Sequence, residues 1–205
     1  MWDKIKYPLE LVVIFAGVVG YAVFHKVLAF NAWFIVPLLG LLVAYIVLES
    51  RYGDRDLADF GLRMDNLSEA TKWSAIVLGP LLLGLSIYAV FHGVHHPLHF
   101  CYAILLYPVW GMIQQFVFQG IFLNACKKLG LGYFSIVLGA LVFTISHYPS
   151  VFLMKFTAFG GLLFATLFYY RPNIIPLGFY HGVFGAFLYY VLRNKDPFLE
   201  FLGNG

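Results

Sequence analysis

Long apolar blocks alternate along this chain with short clusters of charge, Pro, Asn or Gly. A helix needs roughly 20 apolar residues to cross about 30 Å of hydrocarbon, and about seven blocks approach that length. They cover residues 8–30, 32–48, 73–91, 100–126, 131–147, 151–170 and 174–192. The pattern predicts an all-α, polytopic transmembrane bundle. The fourth span could begin only after Pro108, because proline suits a first helical turn and kinks an interior. The first block is too long for a signal-peptide core and lacks a small-residue cleavage site, so it is expected to remain as a span.

One stretch reads as aqueous. Residues 49–72, ESRYGDRDLADFGLRMDNLSEATK, mix charges of both signs with a few apolar anchors, as in a cytoplasmic loop carrying a short surface-lying piece. Lys4, Lys6, Arg51, Arg55, Arg63, Lys72, Lys127, Lys128 and Arg171 fall on one side of the predicted membrane, and Lys26, Lys155, Arg193 and Lys195 on the other. The excess of cations places the N-terminus in the cytoplasm. Residues 1–98 then form three N-terminal spans, and 99–205 a second region.

Composition strengthens this picture. Of 205 residues, 61% are hydrophobic and 11% charged, more apolar surface than one soluble core of this size could hide. The formal charge of +3 comes from scattered loop cations and not from a basic face, so no nucleic-acid partner is expected. Cys101 and Cys126 lie near opposite ends of one predicted helix, roughly 37 Å apart at 1.5 Å per residue, which excludes a disulfide between them.

In such a chain the informative residues are polar ones inside apolar runs, since each costs free energy unless it finds a partner. The fourth span places Gln114, Gln115 and Gln119 in the membrane, the last two one turn apart on one face. The fifth ends in LVFTISHYPS, with Phe143 and His147 on one face. In the seventh, His181 stands among Gly178, Gly182 and Gly185, a small-residue face that admits another helix and turns His181 into the bundle. Taken singly, such amides and imidazoles are interhelical glue, worth about 0.6 to 2 kcal/mol each. Their grouping on three late spans suggests one cavity.

That grouping resembles the CPBP family, the CAAX-protease and bacteriocin-processing intramembrane proteins that include the Ras-converting endopeptidases and bacterial Abi proteins. The likeness covers about 100–192, and DFGLRMDN at 59–66 is similar to a segment that often precedes the family core. Family members carry Glu-Glu-x-x-x-Arg, then Phe-x-x-x-His, then His-x-x-x-Asn or Asp. Here the second motif is intact as Phe143 to His147. Gln114 and Gln115 take the two Glu positions, Gln119 the Arg position, and Gly185 follows His181 where Asn or Asp is expected.

The resemblance implies a site for peptide hydrolysis in which a Glu activates water. A carboxamide keeps the shape but cannot accept that proton, and no Asp or Glu occurs between Phe100 and Arg193. A Glu-to-Gln trap would account for Gln114 and Gln115, yet not for Gln119 or Gly185. The expectation is therefore a catalytically inactive relative in a bacterial or archaeal cytoplasmic membrane. It would bind or regulate another membrane protein, or a lipidated or membrane peptide, without a cofactor. A residual metal-dependent hydrolase using His147 and His181 is the alternative.

A second cluster, HGVHHPLH, sets His92, His95, His96 and His99 between spans three and four. Imidazoles at such spacing can ligate zinc or another transition metal, although Pro97 interrupts a shared helix. The plain reading is a polar interfacial loop. His-x-x-His-His also resembles one box of membrane di-iron oxygenases, but the other histidines do not supply the remaining boxes.

Overall fold

The computed structural model describes residues 3–28, 32–53 and 55–201, and all regular structure among them is helical. The elements are α1 (Asp3–Leu28), α2 (Ala32–Tyr52), α3 (Leu67–His92), α4 (Pro97–Gln115), α5 (Asn124–Lys128), α6 (Phe134–Ile145), α7 (Val151–Tyr170), α8 (Ile174–Phe187) and α9 (Pro197–Phe201). Two π-helical segments, Phe116–Leu123 and Leu188–Arg193, extend α4 and α8. Among the described residues, five helices are long and apolar enough to cross a membrane: Ile5–Phe24, Leu67–His92, Pro97–Lys128, Val151–Tyr170 and Ile174–Arg193. Their outer faces are apolar, with Val12, Leu83, Leu105 and Phe159 all more than half exposed, as suits a surface wetted by lipid. The expected end of the first span at Phe30 lies outside the described residues.

Three boundaries differ from those read off the pattern. The fourth span begins at Pro97 and runs through Pro108; proline at the first helical position loses no hydrogen bond. The fifth is a helix of 12 residues, about 18 Å long and well short of the hydrocarbon thickness. Gly130 and Gly132, at φ 79° and 53°, hold left-handed turns before it, and turns over 146–149 end it. The supposed loop at 49–72 is helical at both ends, because α2 continues to Tyr52 and α3 starts at Leu67.

The chain divides into two compact units, each discontinuous in sequence: Met1–Arg63 with Phe116–Ile174, and Met64–Gln115 with Ile175–Gly205. In the first unit, Phe118, Phe122, Cys126, Val142 and Phe143 form a buried cluster flanked by Leu11, Ile14 and Val18 of α1. Gly161 of α7 lets α6 approach, since a Cβ there would stand 3.1 Å from the Phe143 ring and 3.3 Å from Ala140 Cα. In the second, Val183, Phe187 and Val191 pack against Leu82, Leu85 and Phe100. Both cysteines are free thiols.

The first unit also holds a buried ionic network that the pattern of charges did not suggest. Glu10 of α1 and Glu49 of α2 both accept from Arg55, Lys6 pairs with Glu49, and Tyr45 donates to Glu10. Glu49 and Arg55 are 8% and 7% exposed, so two charges of the presumed aqueous loop are interior although residues 50–53 between them are exposed. The Arg55 guanidinium also lies 4.4 Å from the Phe60 ring centre, a cation–π contact that gains strength where water is excluded. Removing one partner of such a set leaves an uncompensated buried charge. Arg55→Met is therefore expected to cost about 3–5 kcal/mol, read as a lower unfolding temperature of the full chain in detergent, whereas Arg51→Met on the exposed face is expected to change little.

Candidate functional site

In the second unit, glycines decide how α4 and α8 meet. A Cβ on Gly111 would collide with the Gly178 carbonyl and stand 2.8 Å from Gly182 N. One on Gly178 would lie 2.6 Å from Met112 Cα, and one on Gly182 would run into Pro108 N and the Tyr107 carbonyl. The backbones thus touch over one turn, which the small-residue face around His181 foretold. This approach seats Gln115, fully buried, on His181: Gln115 Nε2 donates to His181 Nδ1 at 3.0 Å. An amide nitrogen only donates, so Nδ1 is the acceptor and neutral His181 carries its proton on Nε2. Gln115 Oε1 is buried without a hydrogen-bond partner among the described residues. Gln114 is half-buried on the same helix. At Gly185 the missing side chain faces Tyr107, whose ring would be 3.4 Å from a Cβ there.

The remaining motif residues belong to the first unit. His147 Nδ1 donates to the Phe143 carbonyl at 2.8 Å, and the two rings meet edge to face with centres 4.8 Å apart. The Phe-x-x-x-His spacing thus closes one helical turn on itself and leaves the His147 proton on Nδ1, the opposite tautomer to His181. Phe143 is buried against Phe118, with ring centres 5.2 Å apart. Gln119 is fully buried in the π-helical segment. The DFGLRMDN stretch docks on that segment. Gly120 leaves room for the Phe60 carbonyl, Asn124 donates to the Asp59 carbonyl at 2.7 Å, and Asn173 donates to the Arg63 carbonyl at 2.7 Å. Gly61, at φ 88°, turns beneath Phe168, where a side chain would strike the ring. The seven motif positions are therefore shared between the units, Gln114, Gln115, His181 and Gly185 in one and Gln119, Phe143 and His147 in the other.

The histidine cluster lies in the second unit. His92 stacks on Tyr88 of its own helix, with centres 3.8 Å apart, while His95 and His96 are 4.2 Å apart and His96 and His99 5.7 Å. Among the described residues, no three His, Cys, Asp or Glu side chains are grouped to hold a metal ion. The Gln115–His181 pair does not fit one either. His181 Nδ1 is engaged by an amide, and its other nitrogen carries the proton.

What the histidine cluster does contain is a carboxylate partner that sequence reading missed. Asp196, beyond the last span, is buried and accepts from His99, from Tyr190 Oη at 2.9 Å and from the Phe198 and Leu199 amides at 3.0 and 3.3 Å. It thereby caps α9 and pins the C-terminal turn to α4. The signal was available in kind, an acidic residue followed by Pro-Phe-Leu just beyond the last span, but its partner His99 is remote in sequence.

Two outcomes follow from this geometry. Gly182→Ala forces α4 and α8 apart, and overpacking of this sort is expected to cost about 1–3 kcal/mol; the same variant should lose the Gln115–His181 hydrogen bond, read from the imidazole nitrogen chemical shifts. Burial pushes the Asp196 carboxyl up, but hydrogen bonds from His99, Tyr190 and the Leu199 and Phe198 amides outweigh it and hold the group below its ordinary range. A folded pKa below the unfolded value, about 3.9, stabilises fully above that value and is lost as pH falls through the folded one. Limited proteolysis of the C-terminal turn should accordingly stay slow from neutral pH down to that range and accelerate only below it, whereas Asp196→Asn should accelerate it at neutral pH.

Residues 97–187 fit the family model described as "Type II CAAX prenyl endopeptidase Rce1-like". No curated protein and no solved structure matches the chain. The matched stretch takes in all seven motif positions, from Gln114 to Gly185; with the apolar helices around it, this is an integral membrane protein whose residues 97–187 are similar to the CPBP family.

Proposed function

We propose that this protein is a catalytically inactive CPBP-type membrane protein that binds or regulates a membrane protein, or a lipidated or membrane peptide. The observation that carries this reading is the hydrogen bond from Gln115 Nε2 to His181 Nδ1. A carboxylate at position 115 would accept a proton from His181 Nδ1–H and leave Nε2 as a lone pair, able to hold a water or a cation. The amide reverses that polarity and offers no base. With no Asp or Glu between Phe100 and Arg193, the core has no carboxylate to take the role over. Glycine at 185 removes a further polar group from the motif. What is left in these helices is neutral hydrogen-bonding capacity in an apolar setting, suited to recognising a helix end or a peptide amide without cutting it. The cation distribution favours an N-terminus in the cytoplasm.

The test uses the full chain in nanodiscs with a prenylated CAAX peptide and with a transmembrane peptide. The expected result is no cleavage of either, with saturable binding of one of them that weakens at least several-fold in His181→Ala. The family description of an endopeptidase supports the opposing reading, a hydrolase. Cleavage that disappears when His147 or His181 is changed to Ala would establish that reading and overturn ours. A variant carrying Gln114→Glu, Gln115→Glu, Gln119→Arg and Gly185→Asn asks whether the same fold supports hydrolysis once ionisable groups return.

A further inference from the structure

Within the first unit, three buried side-chain atoms have no hydrogen-bond partner among the described residues: both amide atoms of Gln119 and the hydroxyl of Ser135. Both side chains are fully buried. Gln119 sits in the middle of the π-helical segment Phe116–Leu123, and Ser135 in the first turn of α6. Gly139 follows Ser135 by one turn and so shares its face of α6. That face is turned to Gln119: a Cβ built on Gly139 would lie 3.9 Å from Gln119 Oε1 and 3.4 Å from Leu123 Cδ1. These are ordinary contact distances, so the glycine leaves room for about one methyl group beside an unpaired amide oxygen.

We propose that Gln119 and Ser135 form a binding site for a single buried water, between the π-helical segment and α6. Three features select water. An amide offers a donor and an acceptor, and a hydroxyl offers both, giving the water the three or so polar partners typical of buried sites. No Asp or Glu occurs between Phe100 and Arg193, so an ion here would lack a neighbouring countercharge within the core. Both residues are fully enclosed and the space beside Gly139 is methyl-sized, which excludes a larger ligand. Left unpaired, the Gln119 amide would carry its desolvation penalty in a largely apolar setting, whereas a bridging water satisfies it at little entropic cost. Gln119 stands within a π-helical segment, a geometry that recurs at functional positions in other helices. This inference does not depend on the proposed function.

Radiolytic footprinting of the full chain in nanodiscs in ¹⁸O-water tests this, because a side chain beside a bound water is oxidised by it even when closed to bulk solvent. Leu123 should take up label several-fold above Phe168, which is equally buried in the same unit, and Gly139→Ala, whose methyl fills the space, should bring Leu123 down to the level of Phe168. Thermal unfolding gives an independent measure. If one water bridges the two residues, Gln119→Met and Ser135→Ala should together lower the melting temperature by less than the sum of their separate shifts. Labelling of Leu123 no greater than that of Phe168 in the unaltered chain overturns the proposal, and so do additive shifts.

Discussion

Pairing of polar groups withdrawn from water is the constraint on which this structure rests. In a chain that is 61% hydrophobic, any apolar contact can be exchanged for another at small cost, but an amide, imidazole or charge inside the bundle must meet a specific partner. The places where the fold is fixed are accordingly those where such partners meet. In the first unit these are the Glu10–Arg55–Glu49 network and the carbonyls of residues 59 and 63, gripped by Asn124 and Asn173. In the second they are Gln115 with His181, and Asp196 with His99 and Tyr190. Glycine plays the complementary part. It contributes no partner but removes the atoms that would hold partners apart, at Gly111, Gly178 and Gly182 for one pair and at Gly61 and Gly120 for the docked segment.

This division explains which parts of the fold were legible in the sequence. The helix Val151–Tyr170 has the same ends in the pattern and in the structure, because Ser150 accepts from the Leu153 amide and caps it locally. The meeting of His181 with a neighbouring helix was legible for a similar reason, since the glycines that permit it lie within a turn of the histidine. The short helix Phe134–Ile145 was overestimated because hydropathy does not register Gly130 and Gly132 as turn residues, although their left-handed backbones delay its start to Phe134.

The least legible features are those closed by residues far apart in the chain. Arg55 and Glu49 read as loop charges because the partner that completes their network, Glu10, is 45 residues away from Arg55. An acidic residue inside the first apolar run was itself the clue, since an intramembrane charge calls for a counter-ion. Composition shows that such a charge needs pairing; it does not show with what. Asp196 is the same case in the second unit, a carboxylate whose cationic or donor partner stands 97 positions earlier.

The two motif histidines show how a change of one residue type alters chemistry without altering shape. His147 gives its Nδ1 proton to a backbone carbonyl, an arrangement any residue at position 143 could supply, so its tautomer is set by the helix itself. His181 Nδ1 instead meets the side chain of residue 115, so in that bond the residue type at 115 sets whether Nδ1 donates or accepts. A carboxylate would draw the proton to Nδ1 and match the tautomer of His147, whereas glutamine sends it to Nε2. Carboxylate and carboxamide have nearly the same volume, so the glycine-lined approach of α4 to α8 accommodates either. The exchange therefore changes the imidazole from acceptor to donor at its outer nitrogen while leaving unchanged the space that the two helices provide for it.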